Sequence, residues 1–141
     1  MNLVVDASVA IKWFVRESLY DDADRLLLGD HELSAPDFLV IELANIAWKK
    51  AVRKEIGPQQ AELIPEACVR NIRSLYPSPD LVGRATSIAI HLNHPVYDCL
   101  YLACAEEVDG IVVTADKRFR HAVRNTPFAP MVRDLRGLAS G

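Results

Sequence analysis

The chain has no unbroken apolar run of about 18 residues, the length a membrane helix requires, so nothing in it reads as a span. Its opening, MNLVVDASVAIKWF, lacks the basic region that begins a secretory signal, and the expectation is a cytoplasmic protein without a membrane partner. Cysteine is scarce, and Cys68, Cys99 and Cys104 have neither zinc-like spacing nor histidines at finger distances. Each sits in an apolar helical stretch, which points to buried thiols. Repeats, linkers and low-complexity tracts are missing as well. The 141 residues, 50% of them apolar, therefore suit one domain over 1–141 with a proper core.

Positive charge is not in excess either. The formal charge is −3, whereas proteins that handle polyanions usually advertise a basic surface. This total excludes little. Acids gathered round one or two divalent cations would gain about two to four positive charges on loading, leaving the remaining surface free to be basic.

What is present is an alternation of apolar strands and helices. Leu3, Val4 and Val5 form a strand ending at Asp6, and 9–15 reads as a short helix with Ser8 placed to cap it. A helix over 21–28 ends at Gly29, and a weak strand over 32–35 stops at Pro36. Asp37 can then cap a long helix over 38–54. Gly57 and Pro58 break the chain before a helix reaching about 75, in which Pro65 marks either a kink or the true first turn. After a loop at 76–79, helices follow over 81–92 and 98–108, separated by His94 and Pro95. The clearest strand is 111–114, followed by a basic helix over 117–124 and a last strand over 131–135. Alternation with fully apolar strands implies a mostly parallel sheet covered on both faces, with its cleft beyond the strands' C-terminal ends.

Asp6 and Asp116 each stand just past such a strand end, so two acids converge from distant parts of the chain. Either alone is explained as an N-cap or turn residue. Asp98 opens the most apolar helix, where capping is again the plain alternative. At about 100° per residue, Glu42, Asn45, Lys49 and Arg53 share one stripe of the long helix, which would also suit a solvated surface. Four acids crowded in a cleft repel one another, and a fold tolerates them chiefly when a hard cation neutralises them. Magnesium, or manganese in its place, is the natural occupant. His31, His91, His94 and His121 fall outside this acid pattern and are set aside as general bases.

Three segments, VVDASVAIKWF, APDFLVIELANIAWK and HPVYDCLYLACAEEVDGIVVTADKRF, resemble the signature segments of PIN-domain nucleases, in particular the VapC toxins of bacterial toxin–antitoxin pairs. The resemblance covers nearly the whole chain in the right order. It implies an α/β, three-layer PIN-like fold with a central, mostly parallel sheet flanked by helices. It assigns Asp6, Glu42, Asp98 and Asp116 as catalytic and metal-binding residues, with Ser8, Thr114 and Asn45 in support. Cys99 departs from the pattern, because members often carry alanine there. The implied activity is metal-assisted hydrolysis of single-stranded or looped RNA, leaving a 5′-phosphate and a 3′-hydroxyl.

Lys49, Arg53, Lys117 and Arg118, with Arg120, would carry the RNA backbone, unless they are merely solvated surface charge. The implied partners are RNA, a cognate small antitoxin and a second copy in a homodimer. The antitoxin's groove is expected beside Trp48, Ala51 and Val52 of the long helix and Ile64 and Cys68 of the next, unless these side chains merely pack the two helices against each other or form a homodimer face. Two rivals keep the same fold and site region: an RNA-processing PIN nuclease without an antitoxin, and a non-cutting RNA- or protein-binding module. A phospho-accepting receiver domain fits less well. It needs an acceptor aspartate ending a middle strand and a lysine ending a late one, and here the second strand ends in Ala35-Pro36.

Overall fold

The computed structural model describes residues 1–139. Positions 140 and 141 of the expected domain lie outside the described residues. Five short strands, β1 (Asn2–Val5), β2 (Glu32–Pro36), β3 (Ser74–Tyr76), β4 (Ile111–Thr114) and β5 (Val132–Asp134), pair in the order β3-β2-β1-β4-β5. Every pairing is parallel. In register, Leu3 lies between Leu33 of β2 and Ile111 of β4, and Val5 lies opposite Val113. Leu3, Val4 and Val5 are fully buried, as both faces of a central parallel strand must be, which is why β1 reads as an unbroken apolar run.

The flanking helices are α1 (Ala7–Ala10), α2 (Tyr20–Leu28), α3 (Phe38–Val52), α4 (Pro58–Asn71), α5 (Ser78–Leu92), α6 (Val96–Val108), α7 (Lys117–Val123) and α8 (Leu135–Ala139). Helix α6 packs on β1, β2 and β4, and its residues 99–105 are all buried. It is covered in turn by α5, while α3 packs against α4 and α8 against β4, β5 and α2. The three cysteines are buried, and burial pushes the thiols up, to about 11 for Cys68 and Cys99 and about 12 for Cys104. They are inert packing groups.

Several expected boundaries move, each for a local reason. Asp6, not Ser8, caps α1: its carboxylate accepts from Val9 N, and the helix starts two residues early and gives way to a 3₁₀ turn at Ile11–Trp13. Asp37 stands at the N-cap of α3 as expected but makes no side-chain cap hydrogen bond; its carboxylate takes the backbone N–H and hydroxyl of Ser78, pinning the start of α5, while Ser78 Oγ accepts from Phe38 N at 3.2 Å. Helix α3 ends at Val52 rather than 54, because Lys54 takes a left-handed φ of 61°.

Pro58 occupies the first turn of α4, so Pro65 lies inside that helix. The stretch expected to continue α4 to about 75 instead supplies β3, pairing Ala35 with Leu75. That edge strand is three residues long and only partly buried, and a 3.6-residue pattern running into it masks its period. The expected last strand shortens to Val132–Asp134, because Leu135 starts α8.

Candidate functional site

The strand order reverses direction between β1 and β4: the chain leaves β1 towards β2 and leaves β4 towards β5. In an open parallel sheet this is where a crevice forms beyond the C-terminal strand ends. Asp6 follows β1 and Asp116 follows β4, so the crevice has one acid on each lip.

Asp6 is buried, at 5% exposure, and both of its oxygens are held. Ser8 Oγ donates to Oδ1 at 2.6 Å and Thr114 Oγ1 donates to Oδ2. The two hydroxyls also tie the lips together, since Ser8 Oγ accepts from Ala115 N at 2.9 Å and Thr114 Oγ1 from Asp116 N at 3.0 Å. Burial raises the Asp6 carboxyl to about 7; the Ser8 and Thr114 hydrogen bonds oppose the rise and the charge of Glu42 adds to it. Asp116 is half-buried and caps α7, accepting from Arg118 N at 2.9 Å.

Glu42 reaches the site from α3 and Asp98 from the first turn of α6. Burial raises the Glu42 carboxyl, a hydrogen bond from Tyr101 opposes the rise, and the charges of Asp98 and Asp116 add to it. Glu42 therefore links the acids, adding to the rise of Asp6 and feeling the charges of Asp98 and Asp116, although the four arise on separate elements. Asn45 lies beside them, lining a cavity of about 490 Å³ with Glu42, Asp98 and Tyr97. Lys49, Arg53, Lys117 and Arg118 are exposed.

Two contacts in the site go beyond the expected residues. Tyr101, fully buried, donates to Glu42 Oε1 at 2.5 Å. His94 places Nε2 2.6 Å from Asp98 Oδ2, with its ring stacked on buried Phe119 at 6.1 Å between centroids. Helical spacing could have found Tyr101, which stands three residues after Asp98 within α6, whereas His94 lies before the helix, ahead of Pro95, and carries no such signal. The other histidines do not join the acids.

The donor set suits a hard divalent ion: four carboxylates, two of them with raised proton affinity, in an open cleft. Among the described residues, no three acidic, histidine or cysteine side chains are grouped so that together they could hold a metal ion. Magnesium does not need such a group, since it usually takes one or two carboxylates directly and keeps several waters.

A sequence model of the PIN domain matches residues 3–125, which includes all four acids. The chain belongs to the PIN domain family. It is 30% identical over 120 residues to Ribonuclease VapC3 of Pyrobaculum aerophilum, an alignment covering 84% of this chain and 92% of the relative. This places it among the VapC-type ribonucleases of that family.

Solved structures agree on the PIN fold. PAE2754 from Pyrobaculum aerophilum superposes with a TM-score of 0.71 at 18% identity, over 99% of this chain and 88% of that one. VapC20 of Mycobacterium tuberculosis, described as a Sarcin-Ricin loop cleaving toxin, gives 0.67 at 16% identity, over 85% and 94%. VapBC2 from Rickettsia felis, bound to a DNA fragment from their promoter, gives 0.63 at 12% identity, over 95% and 98%.

Away from the PIN cleft, α3 and α4 frame a mostly apolar groove of about 420 Å³ lined by Ala44, Trp48, Ala51, Pro58, Ala61 and Pro65, with Glu62 its one charged residue. Trp48 is 58% exposed and Val52 63%, so the long helix does have apolar surface to spare. Ile64 and Cys68, expected on the same groove, are instead buried in the core. No helix among the described residues is long and apolar enough to cross a membrane.

Proposed function

We propose that this chain is a divalent-metal-dependent endoribonuclease of the toxin type, which cuts cellular RNA in the cytoplasm and is held inactive by a cognate small antitoxin. The observation that carries this reading is that Asp6 and Asp116 flank the β1/β4 crevice while Glu42 is electrostatically coupled to Asp6, Asp98 and Asp116. Such coupling is costly in a metal-free protein and becomes favourable once a cation sits among the acids. Dependence on a divalent metal is also general among PIN nucleases.

The four acids would hold magnesium, or manganese in its place. When bound, the ion supplies a water of lowered pKa and neutralises charge on the phosphate. The chain's own groups prepare the cleft for it. Ser8 and Thr114 fix both oxygens of Asp6, Tyr101 fixes one oxygen of Glu42, and His94 fixes one oxygen of Asp98. Glu42 and Asp98 each keep a second oxygen free of protein donors among the described residues, available to an ion or its waters. Asn45 supports the same wall, and Lys49, Arg53, Lys117 and Arg118 would draw the RNA backbone towards the acids.

The α3/α4 groove with its exposed Trp48 favours a protein partner over a nuclease acting alone, and it is the reason for preferring the antitoxin-bound reading to the RNA-processing one. A homodimer completes the assembly we expect. The test is to incubate the purified chain with a panel of RNAs, with manganese and with excess chelator. Cutting that survives the chelator removes the metal from the mechanism, and a panel left intact in manganese turns the protein into a non-cutting binding module.

A further inference from the structure

Next to the acid cleft lies a pocket of about 660 Å³ whose walls carry the opposite charge. His94, Lys117, Arg118, Arg120, His121 and Arg124 line it, and no acid does. Four of these are permanent cations, in a chain whose formal charge is −3. Helix α7 gathers them because Phe119 and Val123 are buried, which turns Lys117, Arg118, His121 and Arg124 outward. Among the described residues, Lys117, Arg118 and Arg124 form no ion pair. Arg120 pairs with Asp134 at 3.1 Å through Nη1, yet its buried Nε has no acceptor.

Lys117, Arg118 and Arg124, close together and without an ion pair, repel one another, and a polyanion laid across them relieves that repulsion. His94 joins this pocket to the acids: one edge of the ring holds Asp98, its face lies on Phe119 beneath the basic helix, and the ring itself lines the pocket. A strand whose scissile phosphate lies at the acids therefore has its next phosphates over α7. The volume is in the ordinary range for a ligand of nucleotide size, well beyond one phosphate ion.

We infer that the pocket walled by His94, Arg118, Arg120, His121 and Arg124 binds the phosphodiester backbone of single-stranded RNA flanking the cut. It extends the contact expected of Lys117, Arg118 and Arg120 to a subsite completed by His94, His121 and Arg124. The inference rests on the nuclease reading for the position of the cut, but the binding it describes needs no metal.

The experiment is performed in excess chelator, so that nothing is cut, with a fluorescein-labelled single-stranded RNA of about ten nucleotides read by anisotropy across a salt series. Arg124→Glu and His121→Ala, both at exposed positions, are compared with the natural chain after their melting temperatures are matched. Arg124→Glu is expected to weaken binding by about tenfold or more at low salt and to lower the log–log salt slope by roughly 0.7 for each phosphate that is no longer neutralised. His121→Ala is expected to weaken binding by a smaller factor.

Competition by inorganic phosphate and by a mononucleotide distinguishes a strand from a small anion. The expectation is that both displace the RNA only at concentrations far above that of an unlabelled decamer. An unchanged affinity and slope in Arg124→Glu overturns the inference, as does a mononucleotide that competes as well as the decamer. A manganese cutting assay on the same RNA keeps the two readings apart. Binding that depends on Arg124 without cutting defeats the nuclease reading alone, and cutting without that dependence defeats the subsite alone.

Discussion

Tyr101 donates its hydroxyl hydrogen bond to Glu42 Oε1 across 59 residues of sequence, and this one hydrogen bond fastens α6 to α3 at the edge of the acid cleft. Burial, followed by the charge of Glu42, drives the Tyr101 pKa well above its usual 10, so the phenol stays a neutral donor at any working pH. Its hydrogen bond favours the ionised form of Glu42, whereas burial and the neighbouring acids favour the protonated form. Removing the donor therefore moves Glu42 further up. Tyr101→Phe is expected to shift the acid limb of the pH–rate profile to higher pH and to raise the manganese concentration needed for half-maximal cutting by about 10–100-fold, the usual effect of losing a group that orients a metal ligand. An acid limb and a metal requirement both unchanged would confine Tyr101 to packing.

Asp98→Asn keeps the shape of the side chain and an oxygen that can still accept from His94 Nε2. It deletes one negative charge from the cleft. Because groups that merely orient ligands cost about 10–100-fold, loss of a ligand itself is expected to reduce cutting by more than about a hundredfold, with the circular dichroism spectrum unchanged. Full turnover of the variant at saturating magnesium would remove Asp98 from the metal site.

Asp6 makes the metal-free protein sensitive to pH. Its carboxyl titrates near 7 in the folded chain against about 4 in an unfolded one, so the folded state binds the proton more tightly. The stabilisation is complete below the unfolded value and is lost as pH rises through about 7. A shift of this size corresponds to roughly 4 kcal/mol, and the raised Glu42 acts in the same sense. Glu17 and Asp134, held down by Lys12 with Lys50 and by Arg136 with Arg120, act in the opposite sense, but only in more acidic solution. The metal-free protein should therefore melt at a lower temperature at pH 8 than at pH 5.5. Asp6→Asn should flatten that difference, raise the pH 8 melting temperature and shrink the gain on adding manganese. Differential scanning calorimetry at the two pH values checks all three, and a variant that melts lower while keeping the full manganese gain contradicts the argument.

The acids, the central strands and the apolar helix α6 are legible from the chain itself, because each is marked by a local pattern: a strand ending in an acid, or an apolar run of helical length. What escapes depends on contacts between distant segments. β3 is three residues long and gains its identity only by pairing with β2. Asp37 looks like a helix cap, but Ser78, 41 residues away, takes its carboxylate. His94 escapes because a histidine before a proline reads as a chain break. Its role emerges only when Asn93, in a left-handed conformation at φ 52°, turns the chain so that His94 N reaches Ala89 O and the ring swings onto Asp98. Ile64 and Cys68 read as residues of a surface groove because helical periodicity shows that a face is apolar without showing what covers it.

The α3/α4 groove gives the last prediction. Trp48 is a large aromatic left 58% exposed beside Ala44, Ala51, Ala61 and Pro65, small residues that leave room for an inserted apolar side chain or for a helix lying along the groove. Central aromatics of this kind supply a disproportionate share of interface affinity, about 2 kcal/mol or more on truncation, which is about thirtyfold. Trp48→Glu adds a charge that the partner would have to bury unpaired, so the loss should be at least that large. The groove is separate from the residues lining the acid cleft, so the variant should cut RNA as the natural chain does. The measurement is co-expression with any small gene that lies beside this one, followed by co-purification and growth. The natural chain is expected to carry the small protein through purification and to allow growth, whereas Trp48→Glu is expected to lose the partner and arrest the cells. If instead the variant keeps its partner but changes from dimer to monomer in solution, the groove is a face between two copies of this chain. If the natural chain expressed alone is harmless although it cuts RNA in the tube, and nothing co-purifies with it, the toxin reading falls and RNA processing takes its place.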